Sequence, residues 1–123
     1  MTKGRGTFTY MDKAAVHYGN NMATDLYSYC VLASEVLNGQ LIPVIPTFDS
    51  LLERKNPTVS KRVPEKLRSC LLSGFDEKQQ SRPGWDDIIV ALRKLPMSLF
   101  VSYKYLKNVF RGCDGFNSWW HRS

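Results

Sequence analysis

From position 24 to position 37 apolar side chains recur with so little interruption that they circle a helix almost completely: Leu26, Tyr27, Tyr29, Cys30, Val31, Leu32, Ala33, Val36 and Leu37. A helix that is apolar all round has no face to offer water, so residues 25–38 are expected to run through the middle of the molecule. Thr24 is the expected N-cap, Asp25 follows at the positive end of the helix dipole, and Asn38-Gly39 supplies the stop.

A different pattern marks the second strong helix. Trp85, Ile88, Ile89, Leu92 and Leu95 fall on one stripe at helical spacing, and Pro96 ends it. Such a helix packs on one side only. Between these two, Pro43, Pro46 and Pro57 break the chain around a short helix near 47–55. A further helix is predicted over 64–73, with proline near its start and Gly74 just beyond its end. Residues 12–17 read as a helical turn, and 4–9 and 76–81 as loops. Leu99, Phe100, Tyr103, Leu106 and Phe110 give another helical pattern over 97–111, and the segment after Gly112 has no period. No strand pair or internal repeat emerges, so the fold class is mainly α.

A length of 123 residues leaves room for one core, and 43% hydrophobic with 23% charged residues is the composition of a globular protein rather than a disordered one. Seventeen Lys and Arg against eleven Asp and Glu give a net charge of +6. The surplus is spread over three separated stretches without an aromatic platform for single strands or a DNA-binding pattern, so nucleic acid is not an expected partner. Lys104, Lys107, Arg111 and Arg122 with Trp119 and Trp120 would be the residues of a nucleic-acid or membrane contact, but helical spacing of the first three describes a solvated face equally well. Cys30, Cys70 and Cys113 are odd in number and widely spaced, and Met1 leads into no apolar signal segment. A reduced, cytoplasmic protein is the expectation. No apolar run approaches the roughly 18 residues of a membrane span.

Self-contained catalysis finds little support. The histidines are His17 and His121, the latter two residues from the end, and no C-x-x-C or H-x-x-x-H pair gives a metal-ligand spacing. Asp86 and Asp87 read as first-turn helix charges rather than an acid/base pair. Gly4-Arg5-Gly6-Thr7 lacks the spacing of a phosphate-binding loop. No metal or cofactor is expected.

The order of the pieces carries more than any single one. GTFTYM at 6–11, TDLYSYCVLASEVLNG at 24–39, a proline-containing stretch, LRSCLL at 67–72 and SRPGWDDIIVALRKL at 81–95 resemble, in family order, the carboxy-terminal (large) lobe of eukaryotic protein kinases. The resemblance covers about residues 6–95 and implies the helical part of that lobe, from the end of the activation segment to the last helix, built around the buried helix 25–38. By resemblance, Gly6, Thr7, Tyr10 and Met11 belong to the substrate-receiving end of the activation segment, of the serine/threonine or tyrosine-kinase-like branch.

Two departures bear on function. The family's Ala-Pro-Glu is here Asp12-Lys13-Ala14, so an arginine placed like Arg82 loses the glutamate it pairs with. Either Asp12 or another acid replaces that partner, or Arg82 faces water. Asp25 matches the aspartate that opens the family's buried helix, and Cys30 replaces a glycine. No His-Arg-Asp, Asp-Phe-Gly, glycine-rich strand loop or strand lysine occurs in the chain, so ATP is not expected to bind.

The resemblance therefore implies a partial, truncated kinase-like domain over 1–95, followed by a tail over 96–123. The expected function is non-catalytic, through a protein partner or self-association. The alternative is a fragment of an active serine/threonine kinase whose ATP-binding lobe and catalytic loop lie outside this chain. A lobe without its catalytic loop is expected to leave an apolar face bare beside the central helix, with 97–120 as its intramolecular cover.

Overall fold

The computed structural model describes residues 8–94; Gly6, Thr7 and the helix expected over 97–111 lie outside them. Five helices follow in order: α1 Ala15–Tyr18, α2 Met22–Asn38, α3 Phe48–Leu52, α4 Glu65–Ser73 and α5 Trp85–Arg93, with a 3-10 turn at Gln79–Ser81 before the last. Among the described residues the fold is mainly helical and contains no strand.

Helix α2 begins three residues before its expected start. Asn21 is the N-cap: its side chain accepts from the Thr24 backbone N–H at 2.9 Å, and Thr24 Oγ1 accepts from the Asn21 N–H at 2.8 Å. Thr24 is thus the third residue of a reciprocal capping box and not the cap itself. At the other end Gly39 takes a left-handed conformation, φ 67°, and the N–H groups of Gly39 and Gln40 close on Val36 and Glu35. Only a residue without Cβ adopts that turn freely.

The expectation of a central, all-round helix holds. Tyr29, Cys30, Val31, Ala33 and Ser34 are fully buried, and Ser34 Oγ is satisfied by the Cys30 carbonyl at 2.7 Å. Among the described residues Met22 is the one exposed large apolar side chain on α2, and the cover expected from 97–120 lies outside the described residues. Three described elements wrap the helix. Helix α4 packs Leu67 and Leu71 into the core, α5 packs Ile88, Ile89 and Leu92, and the extended stretch 56–60 runs alongside. That stretch is pinned near both ends of α2, by Tyr27 Oη donating to Asn56 Oδ1 at 3.0 Å and by Asn38 Nδ2 donating to the Thr58 carbonyl at 2.9 Å. Each of the fully buried aliphatic side chains contributes about 1.5–3 kcal/mol to this core.

Two aromatic pairs fasten the outer pieces. Trp85 meets Tyr29 edge to face at 5.2 Å between centroids, and Phe75 meets Tyr27 likewise at 5.2 Å. Gly74, the residue after α4, is right-handed, so conformational freedom is not its reason. A Cβ there would run into Cys30 Sγ, and glycine is what lets α4 end directly against α2. Helix α3 is capped by the Thr47 hydroxyl, which accepts from Ser50 N at 3.1 Å, but it ends at Leu52, short of the expected 55.

Candidate functional site

The loop at 8–14 is held at several points. Tyr10 is 5% exposed, and its hydroxyl donates to Glu35 Oε1 at 2.9 Å. The other carboxylate oxygen, Glu35 Oε2, accepts from Ile42 N at 2.8 Å. One carboxylate on the central helix therefore ties the loop before α1 to the chain leaving α2. Thr9, fully buried, accepts from Ile45 N through its hydroxyl at 3.2 Å. Of the residues proposed by resemblance to meet a substrate, Tyr10 is core and Met11 is half-buried, with its carbonyl already engaged.

Two guanidinium groups complete the arrangement. Arg54 Nη1 donates to the carbonyls of Thr9 at 2.9 Å and Met11 at 3.1 Å. Arg82 Nη1 donates to Asp12 Oδ2 at 2.6 Å and to the Ala23 carbonyl at 2.9 Å, while Arg82 Nε donates to the Asp76 carbonyl at 2.8 Å. The side chains of Asp12 and Arg82 are each 2% exposed, so Arg82 does not face water. The partner left open in the sequence is Asp12. Its other oxygen accepts from Ala14 N at 3.0 Å, which shapes the turn into α1.

Both arginines lie over the Tyr27 ring, Arg82 at 5.3 Å and Arg54 at 5.6 Å from its centroid. Burial pushes the Tyr27 phenol above its ordinary value, against the pull of Arg54. Burial also lowers the Arg54 guanidinium, opposed by Tyr27 and Asp12, and Arg54 Nε is buried without a hydrogen-bond partner. A guanidinium held by main-chain carbonyls and an aromatic face fixes backbone. The cluster as a whole sets the conformation of 8–14 and of the chain before α5; it is a positioning device.

The remaining proposed residues fall elsewhere. Asp25 is in the first turn of α2, as expected. Cys30 is fully buried and its thiol is pushed far up by desolvation, which makes it inert. Cys70, partly exposed, is raised by the same cause, helped by Asp87. Asp86 and Asp87 occupy the first turn of α5, where Asp87 Oδ2 accepts from Gly84 N at 3.2 Å. His17 is exposed on α1, beside Tyr18. Among the described residues no group of three or more His, Cys, Asp and Glu could hold a metal, and no helix is long and apolar enough to cross a membrane.

Glu35, Arg54 and Thr9 did not stand out in the sequence. Glu35 carried a usable signal: a carboxylate inside the apolar run of a helix that is apolar all round is buried, and a buried carboxylate needs donors. Large apolar side chains are exposed in the chain leading into and through α3, at Leu41 (71%), Val44 (52%), Phe48 (45%) and Leu52 (43%). Phe8 touches Phe48 edge to face at 6.5 Å, so this stretch adjoins the 8–14 loop.

Comparison with protein-family models, with curated proteins and with solved structures finds no match to this chain.

Proposed function

We propose that this chain is a non-catalytic, kinase-like helical module that acts by binding protein. The observation that carries the binding half is the exposed apolar stretch Leu41, Val44, Phe48 and Leu52, joined to the rigid 8–14 loop through Phe8 and through the Ile45 bond to Thr9. Exposed large apolar side chains beside a loop fixed by hydrogen bonds suit a protein contact, and they are costly to leave in water. The kinase-like half is supported by the Asp12–Arg82 pair, which links the turn in place of Ala-Pro-Glu to the Arg-Pro before the last helix. Absence of the family's phosphate and magnesium motifs from the chain supports the non-catalytic reading.

Calorimetric titration with ATP and Mg²⁺ tests that reading. No saturable heat is expected, and saturable micromolar binding would overturn it. Light scattering tests the contact: the chain is expected to self-associate with rising concentration, and Val44→Lys with Phe48→Lys is expected to suppress this. A parent that scatters identically to the double variant at every concentration would overturn the contact.

A further inference from the structure

We propose that the turn at 60–63 and the first turns of α4 form a basic docking surface for an acidic peptide segment of a partner protein. The inference rests on the protein-binding reading above and adds the chemistry of a second contact. Residues 51–72 hold six Lys and Arg against two Asp and Glu, the densest basic stretch in the chain. Four of the six, Lys61, Arg62, Lys66 and Arg68, flank one turn, and the first three are exposed.

The turn is fixed before any ligand arrives. Val63 N donates to the Ser60 carbonyl at 3.1 Å, Arg62 N to Ser60 Oγ at 3.2 Å, and Ser60 N to Asn38 Oδ1 at 2.7 Å. Arg68 Nε donates to the Val59 carbonyl at 3.2 Å and so clamps the turn onto α4. Preorganisation of this kind lowers the ordering cost of binding. Among the described residues none of the four cations has a carboxylate within ion-pair distance, and Glu65 accepts instead from Ser69 within its own helix. Cations are disfavoured at a helix N-terminus, so α4 does not account for them; the nearby C-terminal end of α2 eases their mutual repulsion without neutralising it.

Charge, and the burial of the neighbouring apolar side chains, favour a peptide over other polyanions. Nonspecific duplex binding grows with the number of phosphates neutralised, and four cations neutralise few. A membrane-seeking basic segment pairs its charge with apolar side chains that insert. Here the apolar side chains that flank the cations, Val59, Val63 and Leu67, are 5%, 3% and 1% exposed and belong to the core, so they are not available to insert. A short run of Asp and Glu matches the cluster in sign, and such complementarity steers association as well as holding it.

Fluorescence anisotropy of labelled octaglutamate on the full chain tests this. Lys61→Glu, Arg62→Glu and Lys66→Glu together are expected to weaken binding by about tenfold or more, since each removes a pair and adds repulsion. The three positions are exposed, so the variant is expected to melt like the parent. Lys104→Glu with Lys107→Glu and Arg111→Glu is expected to leave octaglutamate binding unchanged. Unchanged binding in the 61/62/66 variant, or loss of binding in the 104/107/111 variant alone, would overturn the proposal. So would tighter binding of a single-stranded oligonucleotide, or of phosphatidylserine vesicles, through the same 61/62/66 residues. Self-association through Val44 and Phe48 is read separately by scattering, so failure here is distinguishable from failure of the protein-binding reading.

Discussion

Asp12 Oδ2 and Arg82 Nη1 lie 2.6 Å apart across 70 residues of chain, with both side chains almost completely excluded from water. A buried pair of this kind is weak evidence for net stability, because desolvating two charges offsets most of their attraction. Its asymmetry is what matters: removing one partner strands the other. The pair therefore acts as a register pin, accepting one arrangement of the loop before α1 against the chain before α5. The Ala23 and Asp76 carbonyls on the same guanidinium make the arrangement still more specific.

Gly74 is predicted to be intolerant of even a methyl group. A Cβ at that position meets Cys30 Sγ, and overpacking of this kind costs about 1–3 kcal/mol. Gly74→Ala should lower the midpoint of urea unfolding, and adding Cys30→Ala, which removes the sulfur, should recover a large part of the loss. A Gly74→Ala variant as stable as the parent would mean that α4 does not end against α2.

Tyr10→Phe is predicted to destabilise the chain by about 1.5–3 kcal/mol, because a buried carboxylate loses a charge-assisted hydrogen bond that water does not replace. Urea unfolding measures it. The loss should shrink in a Glu35→Leu background, where this acceptor is gone. A Tyr10→Phe variant within a few tenths of a kcal/mol of the parent would place the tyrosine outside the core.

Alkaline pH should destabilise the chain through Cys30. Its thiol titrates well above the ordinary 9.0 in the folded state because burial penalises the thiolate. The unfolded chain therefore ionises first. This contribution to stability is complete below pH 9 and is lost as pH rises toward the folded value, at about 1.4 kcal/mol per pH unit. Tyr27, raised by burial from 10.0, steepens the decline further up. Unfolding free energies measured from pH 8 to 11 should fall, and Cys30→Ala should flatten the first part of the decline. An unaltered slope in that variant would contradict the assignment.

What the sequence made legible was local or periodic. The all-round pattern of α2, the stripe of α5, the Asn-Gly stop and the prolines around α3 and α4 each act within a few residues, and each was found in place. The start of α2 was misplaced because Asn21 and Thr24 are both good caps, and only their reciprocal hydrogen bonds decide between them. The site was legible as a set of residues and not as contacts. Asp12 stood among the possible partners of Arg82, but no spacing rule joins positions 70 residues apart. Arg54 was hidden for a similar reason: it binds carbonyls, and carbonyls have no sequence signature.

Asp12 joins the loop before α1 to the chain before α5 through Arg82, and we propose that this joint is the kinase-like one, with its carboxylate at position 12 instead of position 14. The direct measurement is the unfolding free energy of Asp12→Ala alone and combined with Ala14→Glu. Asp12→Ala is predicted to cost about 3–5 kcal/mol by stranding Arg82. Glutamate at position 14, where the family carries it, is then predicted to restore most of that loss by reaching the same guanidinium. If Ala14→Glu restores nothing in the Asp12→Ala background, or lowers stability further, the joint is not built as the kinase resemblance requires and the account is contradicted at its centre.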